Sequence, residues 1–109
     1  DFVNQPGIED YAKCVDDLLH ACITAFITAF HWILPEALHQ RELGLLIRTE
    51  FFLDFENYAR TMFEALGKVR NFLTFNKPLS SPIPGFCSGT FAPPRQSTPE
   101  PFLVGHKVL

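Results

Sequence analysis

The sequence predicts an all-α fold. It would have two long antiparallel amphipathic helices over about 8–33 and 45–75, a short helix or turn at 35–43, and an extended Pro-rich C-terminal arm. Three observations lead there. Residues 8–75 hold one Pro (Pro35) and two Gly (Gly44 and Gly67), whereas residues 76–109 hold seven Pro and three Gly. That shift separates a helical domain, 1–76, from an arm, 77–109. Apolar residues also recur at spacings of three and four along both long segments. Finally, the 109-residue chain is 47% hydrophobic and only 19% charged, which argues against disorder along its whole length.

Helix 1 is expected to start after Pro6-Gly7, with Glu9 and Asp10 near the positive end of its dipole. Pro35 would end it, because the residue before a proline avoids the helical region. Tyr11, Val15, Leu18, Cys22, Ala25, Ala29 and Trp32 form one apolar seam on such a helix. Ala12, Leu19, Ile23, Phe26, Phe30 and Ile33 form a second. A surface helix needs only one. Within it, residues 23–30 are a perfect tetrapeptide repeat, Ile-Thr-Ala-Phe-Ile-Thr-Ala-Phe. On a helix this stacks each residue type on itself and makes a small-residue ridge of Ala21, Ala25 and Ala29.

Residues 35–43 read as a short helix, since Pro suits a first helical position. Helix 2 carries the seam Phe51, Phe55, Tyr58, Met62, Ala65, Val69 and Phe72, and Glu56, Arg60, Glu64 and Lys68 mark its solvated side. Asn76-Lys77-Pro78 reads as its stop signal.

One helix can cover only one seam of its neighbour, so the second seam of helix 1 would face water. Exposed apolar patches of that size mark contacts. The expectation is a protein partner or a second copy, bound through Ile23, Phe26, Phe30, Trp32 and Ile33, with Phe86, Phe91 and Phe102 as anchors along the arm. A membrane contact is possible but not favoured. Residues 18–34 lack a formal charge, yet His20, Thr24, Thr28 and His31 run through them as a polar stripe, and no Lys/Arg excess flanks them. The net charge of −3 excludes a basic nucleic-acid footprint.

Candidate chemistry is sparse. Asp17 and His20, and again Glu36 and His39, set a carboxylate three residues before an imidazole, the helical spacing used in carboxylate-bridged metal bundles. They are the candidate metal ligands. Ordinary polar positions on amphipathic helices are the favoured explanation of them, so no metal or cofactor is assigned. His20 and His31 are too far apart along a helix to share one metal, although each could serve as an axial ligand. Cys14, Cys22 and Cys87 are too few for a disulfide scaffold and lean towards a reducing, intracellular setting. The Asp1 start suggests a fragment or processed product. Ser97 and Thr98 are candidate phosphate acceptors. No nucleophile with a positioned base is recognisable.

The functional expectation is a non-catalytic interaction or structural subunit. Its helical hairpin would pack into a bundle with a partner, and its arm would dock on that partner. The alternatives are a helical protein binding a small ligand, metal or haem, and a membrane-associated subunit of a larger complex.

Overall fold

A computed structural model of the chain describes residues 3–42, 44–46, 48–78 and 80–108. Asp1, Leu43 and Leu109, which bound or fall within the expected segments, lie outside the described residues. The chain runs α1 (Gln5–His20), β1 (Phe26–Phe30), α2 (Glu36–Glu42), a 3-10 turn (Gly44–Leu46), α3 (Arg48–Ala65), β2 (Asn71–Phe75), a π-helical turn (Ile83–Cys87) and α4 (Glu100–Val108). The two strands pair in parallel, with Phe26 opposite Asn71, Ile27 opposite Phe72, Thr28 opposite Leu73 and Phe30 opposite Phe75. This is a β–α–β arrangement and not a helical hairpin, so the all-α expectation is corrected here.

The first expected helix, 8–33, breaks in two. Asn4 starts α1 by accepting the Gly7 N–H at 3.2 Å. The helix stops at His20 because Cys22 takes a left-handed conformation (φ 58°). The Ile23 N–H then donates to Leu18 O at 2.9 Å and the Cys22 N–H to Leu19 O at 3.0 Å. These are the two bonds of a Schellman cap, built here without glycine. The tetrapeptide repeat continues as strand because a period of four is also two periods of two. Its Ile, Thr and Phe residues prefer an extended backbone.

The second expected helix, 45–75, breaks likewise. It is helical over α3, turns at Leu66–Lys68 and becomes β2. Leu66 N–H still donates to Met62 O at 2.8 Å, and Val69 N–H then bonds back to Leu66 O at 2.9 Å, tightening the last turn around Gly67. Asn-Phe-Leu-Thr-Phe supplies the aromatic and β-branched residues that fit a pleated ladder.

The arm is not extended along its length. Its π-helical turn places Phe86 at 3% exposure, and α4 places Val104 at 0%. Gly85 permits the fold-back: a Cβ there would meet the Ala92 carbonyl oxygen at 2.8 Å. Arg95 N–H donates to Gly85 O at 2.9 Å and Ser97 N–H to Phe86 O at 3.0 Å. Ser97 Oγ accepts the Glu100 N–H at 3.4 Å, the bond expected of a helix-starting Ser-x-x-Glu sequence. Arg95 grips Glu100 through both nitrogens, Nε at 2.6 Å and Nη2 at 2.5 Å. Lys107 of α4 reaches the Leu46 carbonyl.

Two apolar clusters hold the strands, one at each end. Phe30, Leu45, Phe51, Phe86 and Val104 form the first, with Phe55 and Phe75 against it. It lies where both strands finish. Phe55 and Phe75 stack at 5.2 Å, and Phe30 meets Phe75 at 5.4 Å. Val15, Ala25, Leu66 and Val69 form the second, where both strands begin. Lys68 Nζ adds an ion pair to Asp16 at 2.7 Å, tying the end of α3 to α1. Tyr58 Oη donates to Ala29 O at 3.0 Å, joining α3 to β1. Burial pushes the Tyr58 phenol above its ordinary range, and Tyr11 nearby adds to the rise.

Phe30→Ala should destabilise the protein by about 3–5 kcal/mol, the usual cost of removing a buried aromatic ring, as read by denaturant unfolding. The Arg95–Glu100 pair makes a pH prediction. The Arg95 hydrogen bond holds the Glu100 carboxyl below its ordinary value; partial burial opposes this, and the charges of Arg95 and His39 add to the lowering. A carboxylate with a depressed folded pKa contributes stability above its unfolded pKa and loses it as pH falls through the folded value. Glu100→Gln should therefore cost about 1–2 kcal/mol at neutral pH. The gap between wild type and variant should narrow below about pH 4, the ordinary range of the unfolded carboxyl. A gap that stays constant down to the acid transition would contradict the pairing.

Candidate functional site

Parallel pairing puts the C-terminal ends of β1 and β2 side by side, and the two segments that follow are His31-Trp32 and Asn76-Lys77. The Asn76 N–H donates to Phe30 O at 2.9 Å, carrying the strand contact one residue past β2. Trp32 Nε1 donates to Asn76 O at 2.7 Å, cross-linking the two ends. The Trp32 ring is flanked by His31 at 6.3 Å and by Phe91 at 6.0 Å, between centroids.

Trp32 (φ 72°) and Lys77 (φ 47°) both have left-handed backbones. Continuing the strand register sets these two residues opposite each other. A bulky side chain in that region is strained by about 1–3 kcal/mol, and such strain collects at functional sites. His31 and Lys77 are exposed, while Trp32 and Asn76 are half-buried. The Phe30, Phe51, Phe55 and Phe75 cluster lies beneath them, so the rim stands on a packed aromatic base. Among the described residues no ion pair neutralises Lys77.

A small cavity of about 40 Å³ opens beside this rim, lined by Trp32, Leu34, Glu36, His39 and Ser81 among others. His39 Nδ1 is buried and finds no hydrogen-bond partner among the described residues. A larger cavity, about 350 Å³, sits at the other end of the strands among Leu19, Ile23, Lys68, Arg70 and Asn71. Size favours the second, but position favours the first. In parallel α/β folds, ligands meet the carboxyl ends of the strands, whereas the amino ends serve stability. Left-handed Cys22 serves the cap of α1 at the amino ends, whereas left-handed Trp32 and Lys77 and the indole cross-link lie at the carboxyl ends, and the site is assigned there.

The residues singled out from sequence scatter. Asp17 and His20 close α1 before β1 begins, whereas Glu36 and His39 follow its end. A five-residue strand, roughly 17 Å long, separates the two acid–histidine pairs. Among the described residues no three His, Cys, Asp or Glu side chains converge as metal ligands. His31 joins the rim, while His20 lies at the opposite end. Phe30 and Phe86, expected to anchor a partner, are buried in the chain's own core. Ile23, Phe26, Ile33, Phe91 and Phe102 are exposed, Ile33 at 85%. Trp32 is half-buried and takes part in the rim. No described helix is long and apolar enough to cross a membrane.

Sequence reasoning missed Asn76 and Lys77 as site residues because they follow a segment read as helix, where they look like a stop. The signal that could have found them is shared by both strands: each ends in Phe, and polar or indole groups follow it.

The arrangement has counterparts. The family model of Glycosyl hydrolase family 1 matches residues 1–109. Beta-glucosidase 1B of Phanerodontia chrysosporium is 41% identical over 100% of this chain and 22% of its own length. The crystal structure of beta-glucosidase 2 from Trichoderma reesei in complex with Tris superposes with a TM-score of 0.95 at 70% identity, over 99% of this chain and 23% of that one. A family 1 beta-glucosidase from Humicola insolens in complex with glucose superposes with a TM-score of 0.93 at 48% identity, over 99% and 25%. The chain thus spans about a quarter of the length of the proteins it matches.

These neighbours have the TIM-barrel fold, which corrects the all-α hairpin at the level of the whole architecture. They also overturn the reading as a non-catalytic interaction or structural subunit, and with it the expectation that the chain is no part of an enzyme. The alternatives of a metal- or haem-binding helical protein and of a membrane-associated subunit fall with it.

Trp32→Phe tests the cross-link. It removes the bond to Asn76 O while keeping most of the ring packing, and should cost about 0.5–1.5 kcal/mol in stability. It should also speed amide hydrogen exchange at Asn76. Unchanged exchange there would argue against Trp32 fixing the end of β2.

Proposed function

The chain belongs to glycosyl hydrolase family 1, and from that premise we propose that it serves a β-glucosidase. It would supply two adjacent barrel strands whose carboxyl ends form one wall of the glucoside-binding mouth. The observation that carries this is the rim itself. His31, Trp32, Asn76 and Lys77 are gathered by two parallel strands at the end where barrel enzymes keep their chemistry.

The residue types suit a sugar. Hydroxyl groups both donate and accept hydrogen bonds. The imidazole of His31 and the amide of Asn76 each offer a donor and an acceptor. Trp32 spends its own N–H on the backbone of Asn76, so its role is to hold the amide in place and to offer ring surface. The strain at Trp32 and Lys77 fits a mouth assembled in one geometry, where positioning contributes much of the rate.

The test uses the full-length protein and an activated aryl β-glucoside. His31→Ala and Asn76→Ala should each lower kcat/KM at least about tenfold, a loss of roughly 1.4 kcal/mol of transition-state binding. The far-ultraviolet dichroism of both variants should match wild type. Two folded variants with wild-type kcat/KM would remove this rim from the glucoside site.

A further inference from the structure

The chemistry of glycoside cleavage makes the end of β2 unusual. Both common mechanisms place two carboxyl groups around the bond, one of which protonates the departing oxygen. The fold brings such groups to strand carboxyl ends. In this chain residues 31–35 read His-Trp-Ile-Leu-Pro and residues 76–78 read Asn-Lys-Pro, so neither run carries a carboxyl group; the first one beyond them, Glu36 at the start of α2, lines the small cavity and accepts from Gln40 Nε2 at 3.1 Å. The residue held in the strained conformation at the mouth of β2 is Lys77, exposed and without a carboxylate partner among the described residues.

We propose that Lys77 confines this protein to glucosides whose leaving group departs as a stable anion. The inference rests on the β-glucosidase reading above. In the first step a carboxylate from elsewhere in the barrel attacks the anomeric carbon. The glycosidic C–O bond breaks, and its electron pair leaves on the aglycone oxygen. A nitrophenolate carries that pair unaided, and a neighbouring ammonium group stabilises its negative charge. An alkoxide must instead take up a proton as it leaves. An alkylammonium is a weaker acid than a carboxylic acid by about six orders of magnitude in ordinary side chains, so it serves that transfer poorly. In the second step water splits the glucosyl ester, giving glucose and the free carboxylate, with the water's second proton leaving to solvent.

The ammonium also bears on charge development. The transition state carries positive charge on the sugar ring. A cation at the mouth opposes that charge unless a departing anion lies between the two. Lys77 therefore favours anionic leaving groups twice, by attraction to the anion and by selection against late proton transfer.

The experiment compares full-length wild type with Lys77→Glu and Lys77→Met on dinitrophenyl β-glucoside and on methyl β-glucoside. Wild type should turn over the first and leave the second nearly untouched. Lys77→Glu should raise kcat/KM for the methyl glucoside at least about 100-fold, the lower range for a positioned general acid. It should also introduce an alkaline fall in the rate, as the new carboxyl loses its proton. Lys77→Met should keep the preference for the activated substrate while lowering its rate, because the charge is gone. A wild type whose two substrates differ by the same ratio as in Lys77→Glu would overturn the inference while leaving the β-glucosidase reading intact. Turnover of neither substrate by any folded variant, together with no binding of glucose, would overturn both. Should Lys77→Glu fail to fold, loss of the leaving-group preference in Lys77→Met would still overturn the proposal.

Discussion

Parallel pairing of β1 with β2 obliges the chain to return from the end of one strand to the start of the next before it can pair. That return occupies residues 31–70 and is made by α2, the 3-10 turn and α3. Parallel neighbours cannot be joined by a tight hairpin, so the crossover follows from the pairing. The same constraint makes the site. Only in a parallel pair do both strands finish at one edge, and only there can His31-Trp32 and Asn76-Lys77 meet. The aromatic cluster of Phe30, Phe51, Phe55 and Phe75 fixes that edge from below, and the Trp32 bond to Asn76 O fixes it from above. Were the strands antiparallel, Trp32 and Lys77 would lie at opposite ends, and their strain would serve nothing in common.

The apolar surface that points to a partner in the sequence has a different meaning once the strands are known. A parallel sheet is ordinarily buried on both faces, and a two-stranded one leaves two unpaired edges. Phe26 at 64%, Leu73 at 52% and Ile33 at 85% exposure are therefore strand and strand-end residues lacking the layer that a barrel supplies. These apolar groups lie on strands and strand ends, not on the helix faces to which the sequence pattern assigns them. Relatives about four times longer hold this segment within a closed barrel, and we attribute the uncovered faces to that missing surround.

What could be read from the sequence was local. Pro35 marks a helix start, and Asn76-Lys77-Pro78 a stop. Both positions matter in the structure, yet neither says that the segment before it holds a strand. The repeat over residues 23–30 fits a helical period nearly as well as a strand period, and length argued for a helix already under way. The deciding signal was absent: α1 is stopped by a Schellman cap whose left-handed residue is Cys22, where glycine would ordinarily announce the stop. Ser97-Thr98-Pro99-Glu100 has the Ser-x-x-Glu form of a helix start, which its proline-rich setting masks. The site was the least legible part. It depends on two residues that are neighbours in space only because of a register that no local pattern encodes.

The rim also explains why chemistry was hard to recognise. A catalytic constellation is usually read from pairs of titratable side chains, and the two acid–histidine pairs have that form without the placement. At the strand ends this chain offers instead an imidazole, an indole, an amide and an ammonium, which together read as a surface for binding. Their significance comes from backbone geometry. Trp32 and Lys77 occupy conformations that side chains of their size avoid, each two residues beyond the end of its strand, and a random defect would not recur at that matched distance. The fold thus keeps position 77 in the place and posture of a working residue, and the chemistry available there is set by the single side chain that occupies it.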